Sequence, residues 1–442
     1  MNLKNDLIEA LAEIPVLDVH THLVGGRLGA RGLHDVLLYH MVVSDLYAAG
    51  CPSGKRLTEY PGWPDKKEAH ARIQEALPFL PKARNTSSLW AVRTILADLY
   101  QWHMPITEVN WQTIDSIIRE RADDHQWHHS VLDHLNIKRT CAEYARRGKG
   151  VDDDRLQYSL DWGMFTRTQW GEYDTALYDL ERTWGRQPES PCPIGANRPP
   201  TDRTIQSLDD VHAAISHYVS VIPYSDVVST ATGFSTDIDY DVPTDEMMAE
   251  AISNRSVAGS RERDIYAAYI NEKFLCELEK HAHEIVFQFS IGAEPLPFET
   301  SSRLSQKTIG QLGEIIGRHP TLRFLCTPGS KHANQALCTL ARQLPNFSLA
   351  GYWWHNFFPQ TIRHVISERL DMLPVNKQIG FFSDAYTVEW SYAKLIIVRN
   401  QLAAVLAEKI EQGQYTLDEA LSIARSILYE SPQELMGMRP KQ

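Results

Sequence analysis

Cysteine is scarce: Cys51, Cys141, Cys192, Cys276, Cys326 and Cys338 are the six in 442 residues, and no two are spaced as CxxC. Thiols scattered in this way make neither a disulfide framework nor a cysteine-type zinc site, which points to reduced, mostly buried residues. Long apolar runs are missing too. None approaches the roughly 18–20 residues of a membrane span, and Met1–Pro15 carries acidic residues within its apolar pattern, unlike a secretory signal. Nor is positive charge in excess. Lys and Arg number 44 against 56 Asp and Glu, a net charge of −12 and a pI near 5.8. Nucleic acid and anionic membrane surfaces need basic patches and are excluded as partners. A small-molecule partner, even an anionic one, is compatible, because net charge does not govern a buried local site. These absences point to the cytoplasm and leave a homo-oligomer open.

What is present is an ordinary globular composition, 43% hydrophobic and 23% charged. Eight β-type runs alternate with helical patterns: 16–23, 137–143, 156–162, 226–232, 284–291, 322–327, 347–354 and 378–384. Alternation of strand and helix predicts a parallel sheet, and eight strands predict a closed α/β barrel of the (β/α)8 TIM type. The whole chain, 1–442, reads as one barrel domain. A helical insertion at about 53–135 follows the first strand, with amphipathic patterns at 88–100 and 111–122. The tail from Val388 to Leu428 reads as two helices, the second opened by Thr416 with Glu419 three residues on, a capping-box pattern.

Candidate chemistry gathers at strand ends. His20 and His22 lie two apart at the end of the first run, so both rings leave one face of the strand. Paired imidazoles at the C-terminal end of a barrel strand can hold a divalent metal, and Asp18 shares their face one step inward. His281 and His283 repeat the spacing but precede a strand, at the bottom of the barrel, and are read as surface residues. Asp384 closes the eighth run. It can complete a His-His-Asp ligand set and act as a base; the plainer reading is a helix N-cap with Ser383 and Thr387. After the seventh run, Trp353 and Trp354 can wall a pocket and His355 can act as acid, base or ligand. The cluster His125, His128, His129 and His134 is read as a solvated helical face, and His40, flanked by apolar residues, as a core histidine.

Together these segments resemble the uronate isomerase family, within the metal-dependent amidohydrolase superfamily of TIM barrels. VLDVHTHL resembles the family's first-strand His-x-His. LLYHMVVSDLYAAG places His40 on a site histidine. FQFSIGAEP, AGYWWHNFF and GFFSDAYTVEWSYAKLIIVRN resemble the fifth, seventh and eighth strands. The resemblance implies one divalent ion on His20, His22 and Asp384, with zinc the first choice and manganese, nickel or iron as alternatives. It implies proton transfer by Asp384, His40 or His355, and substrate contacts from Trp353, Trp354, Tyr386 and Ser290. It also implies aldose–ketose isomerisation of a sugar acid or related polyol.

The departures fall within the site. Tyr386 stands where the family carries a carboxylate-binding arginine, and Ser290 where it carries a histidine. Glu294 lies near a second missing arginine, and Met41 replaces a tyrosine. Tyrosine and glutamate cannot reproduce a bidentate guanidinium clamp. Lys331, Arg303 or Arg93 are candidate replacement cations. Loss of the clamp keeps two alternatives open: a hydrolase of an ester, lactone or amide using the same ligands, and a non-catalytic sugar-binding relative.

Overall fold

The apolar runs form eight parallel strands: β1 (Val16–Thr21), β2 (Ile137–Glu143), β3 (Leu156–Asp161), β4 (Val227–Phe234), β5 (Val286–Ile291), β6 (Arg323–Pro328), β7 (Phe347–Ala350) and β8 (Gln378–Ile379). The computed structural model describes residues 3–52, 66–147, 154–161, 174–186, 201–234, 239–292, 306–352 and 358–438. Strands pair in strict chain order from β1 to β8. The ring closes without a regular ladder. Val19 donates its N–H to Phe381 O (3.3 Å), Asp384 to His20 O (3.0 Å) and His22 to Ala385 O (2.8 Å). This is the (β/α)8 arrangement that the alternating pattern predicts.

β7 and β8 fall furthest short of their apolar runs. β8 pairs only through Ile379, because the next N–H, from Gly380, turns away to Ile427 O at 3.0 Å. From Phe381 onward the chain bonds to β1 instead and turns at Asp384, whose φ is 54°. The β7 ladder ends at Ala350, where Gly351 adopts a left-handed φ of 46°.

Inside the ring, Leu17, Val19, Cys141, Val228, Val286, Leu325, Ala350, Ile379 and Phe382 form one buried cluster with Met436 and Met438. The C-terminal segment thus packs into the barrel interior, and Arg323 fixes it by donating to Leu435 O at 2.6 Å. Gln288 of β5 reaches across to Val19 O of β1 (3.3 Å). A packed interior of this kind leaves chemistry to the strand ends.

Helices cover the outside. Between β1 and β2 the described residues form helices at Leu33–Leu37, His40–Ala48, Lys66–Ala76, Ser87–Tyr100, Trp111–Arg121 and His125–His134. The excursion therefore starts before residue 53. Its end is tied to the barrel by Arg399, in the buried helix Val388–Glu411, whose guanidinium bonds Ile14 O (3.2 Å) and Leu135 O (2.9 Å). Glu389 makes a second tie, accepting from Ala30 N (3.0 Å) and Tyr100 Oη (2.7 Å). The Thr416–Glu419 capping box forms as its spacing predicts. His281 and His283 sit just before β5, half-buried and exposed respectively, as expected for the bottom face. Among the described residues no helix is long and apolar enough to cross a membrane.

Gly351 is the tightest point near the barrel mouth. A Cβ there would meet the Phe382 Cβ at 2.2 Å, on a backbone that L-residues rarely adopt. Gly351→Ala should cost about 2–5 kcal/mol, combining left-handed strain with overpacking. Urea denaturation checks this, and a variant as stable as the parent would contradict the packing described.

Candidate metal centre

The barrel seam brings the candidate ligands together. His20 and His22 leave β1 with ring centroids 5.0 Å apart, edge to face. Asp384 arrives from beyond β8, and one ligand atom from each of the three lies within 4.8 Å of the others. The seam supplies the reason: Asp384 N bonds His20 O, and His22 N bonds Ala385 O, so the two chains are locked in register at the ligands. Asp384 tolerates the left-handed backbone better than most residues, and its carbonyl is held by Tyr39 Oη (2.5 Å) and Lys394 Nζ (3.3 Å). Lys394 also bonds Ser383 O and donates to Tyr39 Oη at 2.7 Å. Asp384 is therefore not an N-cap: no side-chain cap bond marks the Val388–Glu411 helix, whose N-cap residue is Thr387.

His22 is clamped between two carboxylates, with Nδ1 at 2.7 Å from Glu143 Oε1 and Nε2 at 3.0 Å from Asp384 Oδ1. Burial would lower its pKa, but Glu143 and Asp384 outweigh burial and raise it to about 9. The effect is reciprocal. Burial pushes both carboxyls up, yet His22 holds each well below the usual carboxylate range, with Arg146 helping at Glu143 and Lys394 at Asp384. His20 lacks such partners. Burial and neighbouring His22 push it down to about 4, and its buried Nδ1 has no hydrogen-bond partner among the described residues. Its ring stacks on Phe382, centroids 4.7 Å apart.

This donor set fits a divalent ion. Two imidazoles and a carboxylate converge, one ring nitrogen is unpartnered, and Glu143 behind His22 is the outer carboxylate that orients a ligating histidine. Around it stand His40, which burial holds down near 3, and Tyr386, whose ring centroid is 5.7 Å from that of His40 and 5.1 Å from that of His22. His40 is thus not a lone core histidine but part of this cluster. Asp18 lies beneath, accepting Ser383 N at 2.9 Å, with burial lifting its carboxyl to about 7.

The remaining expectations divide. Ser290 sits half-buried at the C-terminal end of β5, beside Thr327 of β6. Lys331 is exposed on the turn after β6, and Arg93 is exposed on the Ser87–Tyr100 helix. Trp353, Trp354, His355, Glu294 and Arg303 lie outside the described residues. In the histidine-rich helix, His125 and His134 are exposed, but His128 is buried against Gly29, so that face is only partly solvated.

Sequence reading missed Glu143, Arg146, Tyr39 and Lys394. Arg146 bonds Glu143 and His22 O and lies 5.9 Å from the Tyr386 ring centre. The usable signals were a carboxylate ending the second apolar run, as Asp384 follows the eighth, and a lysine within the apolar stretch 390–398.

No family model and no curated protein sequence matches the chain. Solved structures do. A glucuronate isomerase from Caulobacter crescentus aligns with a TM-score of 0.77 and 13% identity, covering 100% of this chain and 95% of that one. A uronate isomerase from Thermotoga maritima gives 0.75 and 14%, covering 98% and 97%. A protein from Lactobacillus casei ATCC 334, provisionally named a metal-dependent hydrolase, gives 0.60 and 14%, covering 98% and 97%. At these identities the likeness is one of fold, and it runs the full length of the chain.

The clamp on His22 has a pH signature. Its folded pKa of about 9 exceeds the ordinary 6.5. Its pairing therefore stabilises the metal-stripped fold fully below about pH 6.5, and that contribution is lost as pH rises through 9. A ligating histidine must be neutral. Uptake of one zinc ion at pH 7–8 should therefore release close to one proton from His22, with affinity rising about tenfold per pH unit toward 9. Calorimetry in buffers of different ionisation enthalpy reads this count; uptake without proton release would remove His22 from the ligand set. Glu143→Gln should weaken zinc binding roughly 10–100-fold in a competition titration.

Proposed function

We propose that this chain is a metal-dependent TIM-barrel enzyme, and that its reaction is uronate-isomerase-like: aldose–ketose isomerisation of a sugar acid or related polyol. The observation that carries the proposal is the convergence of His20, His22 and Asp384 at the barrel seam. The full-length likeness in fold to two isomerases supports it. A divalent ion on these three residues, zinc first among zinc, manganese, nickel and iron, supplies Lewis-acid stabilisation of negative charge on substrate oxygens.

The chain's own groups then divide the proton work. Isomerisation moves a proton between adjacent carbons. Asp384, held ionised by His22 and Lys394, is the acceptor we assign. His40, kept neutral by burial, exchanges protons with substrate hydroxyls; His355 is the further candidate that the sequence resemblance offers. Tyr386 and Ser290, at the strand ends, are the substrate-contacting residues in this reading, with Lys331 as a candidate cation; Trp353 and Trp354 are the further candidates that the sequence offers. Arg146, beside Tyr386 and paired with Glu143, is the cation on this side of the site that a substrate carboxylate would have to share.

One observation favours a second reading. Arg146 is already paired with Glu143, and Tyr386 occupies the position to which the sequence resemblance assigns a carboxylate-binding arginine. A neutral substrate then fits better, and Asp384 would serve as general base toward water in hydrolysis of an ester, lactone or amide. Incubating metal-reconstituted protein with hexuronates, aldonates and lactones, with product identification, separates the readings. A ketose from an aldose supports isomerisation; hydrolysis alone overturns it.

Asp384→Asn keeps size and one coordinating oxygen but removes the basic charge. It should retain most of its metal yet lose turnover by about 10²–10⁴. His20→Ala should lose the metal itself. Metal analysis alongside turnover on the identified substrate reads both. Near-normal turnover by Asp384→Asn with full metal would transfer the proton role to His40 or His355.

A further inference from the structure

A second cluster of ligating groups lies at the opposite end of the barrel. The Ser260–Leu278 helix carries Glu272 and Cys276 four residues apart, hence on one face, and Glu279 follows in the next turn. His319, between the Gln306–Arg318 helix and β6, packs against them. Ligand atoms of Glu272, Cys276 and His319 all lie within 4.8 Å of one another.

His319 is the informative member. It is only 2% exposed. Its Nε2 is 3.4 Å from Glu272 Oε1 and its Nδ1 3.3 Å from Glu279 Oε2, yet neither nitrogen makes a hydrogen bond of acceptable geometry. Without a metal the ring stands between the two carboxylates, which favour its protonated form against burial. Two ligands on one tetrahedral zinc, each at 2.0–2.1 Å, stand about 3.4 Å apart. The surroundings are already set: Arg318 holds Glu272 through Nη2 (2.9 Å) and Nε (3.2 Å), and Thr321 Oγ1 donates to Glu279 at 2.8 Å.

We propose that Glu272, Cys276 and His319 form a second divalent-cation site suited to zinc, distinct from the barrel-mouth centre. A thiolate and a carboxylate balance the ion's two charges, with imidazole as the neutral third ligand and water completing a tetrahedron. Glu279, facing Nδ1, orients the ring so that Nε2, beside Glu272, is the ligating nitrogen. Binding displaces two protons to solvent, one from the Cys276 thiol and the one that Glu272 and Glu279 favour on His319. The ion pins the helix to the turn entering β6, a structural role.

Cobalt distinguishes this site from the barrel mouth, whose ligand set contains no thiolate. Stripped full-length protein titrated with Co²⁺ should develop a thiolate-to-cobalt charge-transfer band in the near ultraviolet. Cys276→Ser should lose that band and one equivalent of bound zinc while retaining the other. His20→Ala should keep the band and lose the other equivalent. Cys276→His should regain zinc without the band. Cys276 is exposed, so these substitutions are compatible with folding, which circular dichroism checks. A wild-type titration without the band, or a band that persists in Cys276→Ser, overturns the proposal.

Discussion

The seam between β8 and β1 is the constraint on which the candidate site depends. Most of the barrel is closed by regular ladders, but here three main-chain hydrogen bonds do the work, and two of them flank the ligands. Asp384 reaches His22 because its backbone turns left-handed within that seam. The turn exposes carbonyls that a buried loop cannot leave unpaired, and Lys394 and Tyr39 satisfy them. Lys394 therefore has a structural task as well as an electrostatic one. Burial lowers its pKa to about 8, against the pull of Asp384 and Asp18.

Charge around His22 follows from the same geometry. Two carboxylates enter a buried region from the strand ends on either side of β1, those of β2 and β8, and would be costly there alone. His22, Arg146 and Lys394 compensate them. The resulting contrast between the two histidines is large: His22 is driven toward its charged form, while His20 and His40 are driven toward neutrality. Adjacent groups pushed in opposite directions are what acid–base chemistry at a metal needs.

One side of the candidate site is aromatic. Tyr386 contributes a ring to an aromatic group with Tyr39 and His40, and Tyr39 stacks on Trp390. Positive charge lies nearby as Arg146, from the turn after β2, in partnership with Glu143. This wall of the candidate site is thus an aromatic surface beside a neutralised ion pair.

Much of this was legible in the sequence. Strand runs of alternating or continuous apolar residues gave all eight strands, with β2 matched at both ends, because hydrophobic periodicity is a local property. The His20–His22 pair and Asp384 were legible because each follows directly from its place at the end of such a run. Strand lengths at the seam were not, since β8 stops where Gly380 finds Ile427, a residue 47 positions away. Glu143, Arg146, Tyr39 and Lys394 were not legible either. Their roles are pairings between strands and helices far apart in the chain, and no local pattern encodes such a partner. The sequence by itself determined the barrel and which residues end its strands. Only the tertiary structure decided which strand ends meet, and hence which charges share one buried site, because the seam closes through contacts that span nearly the whole chain.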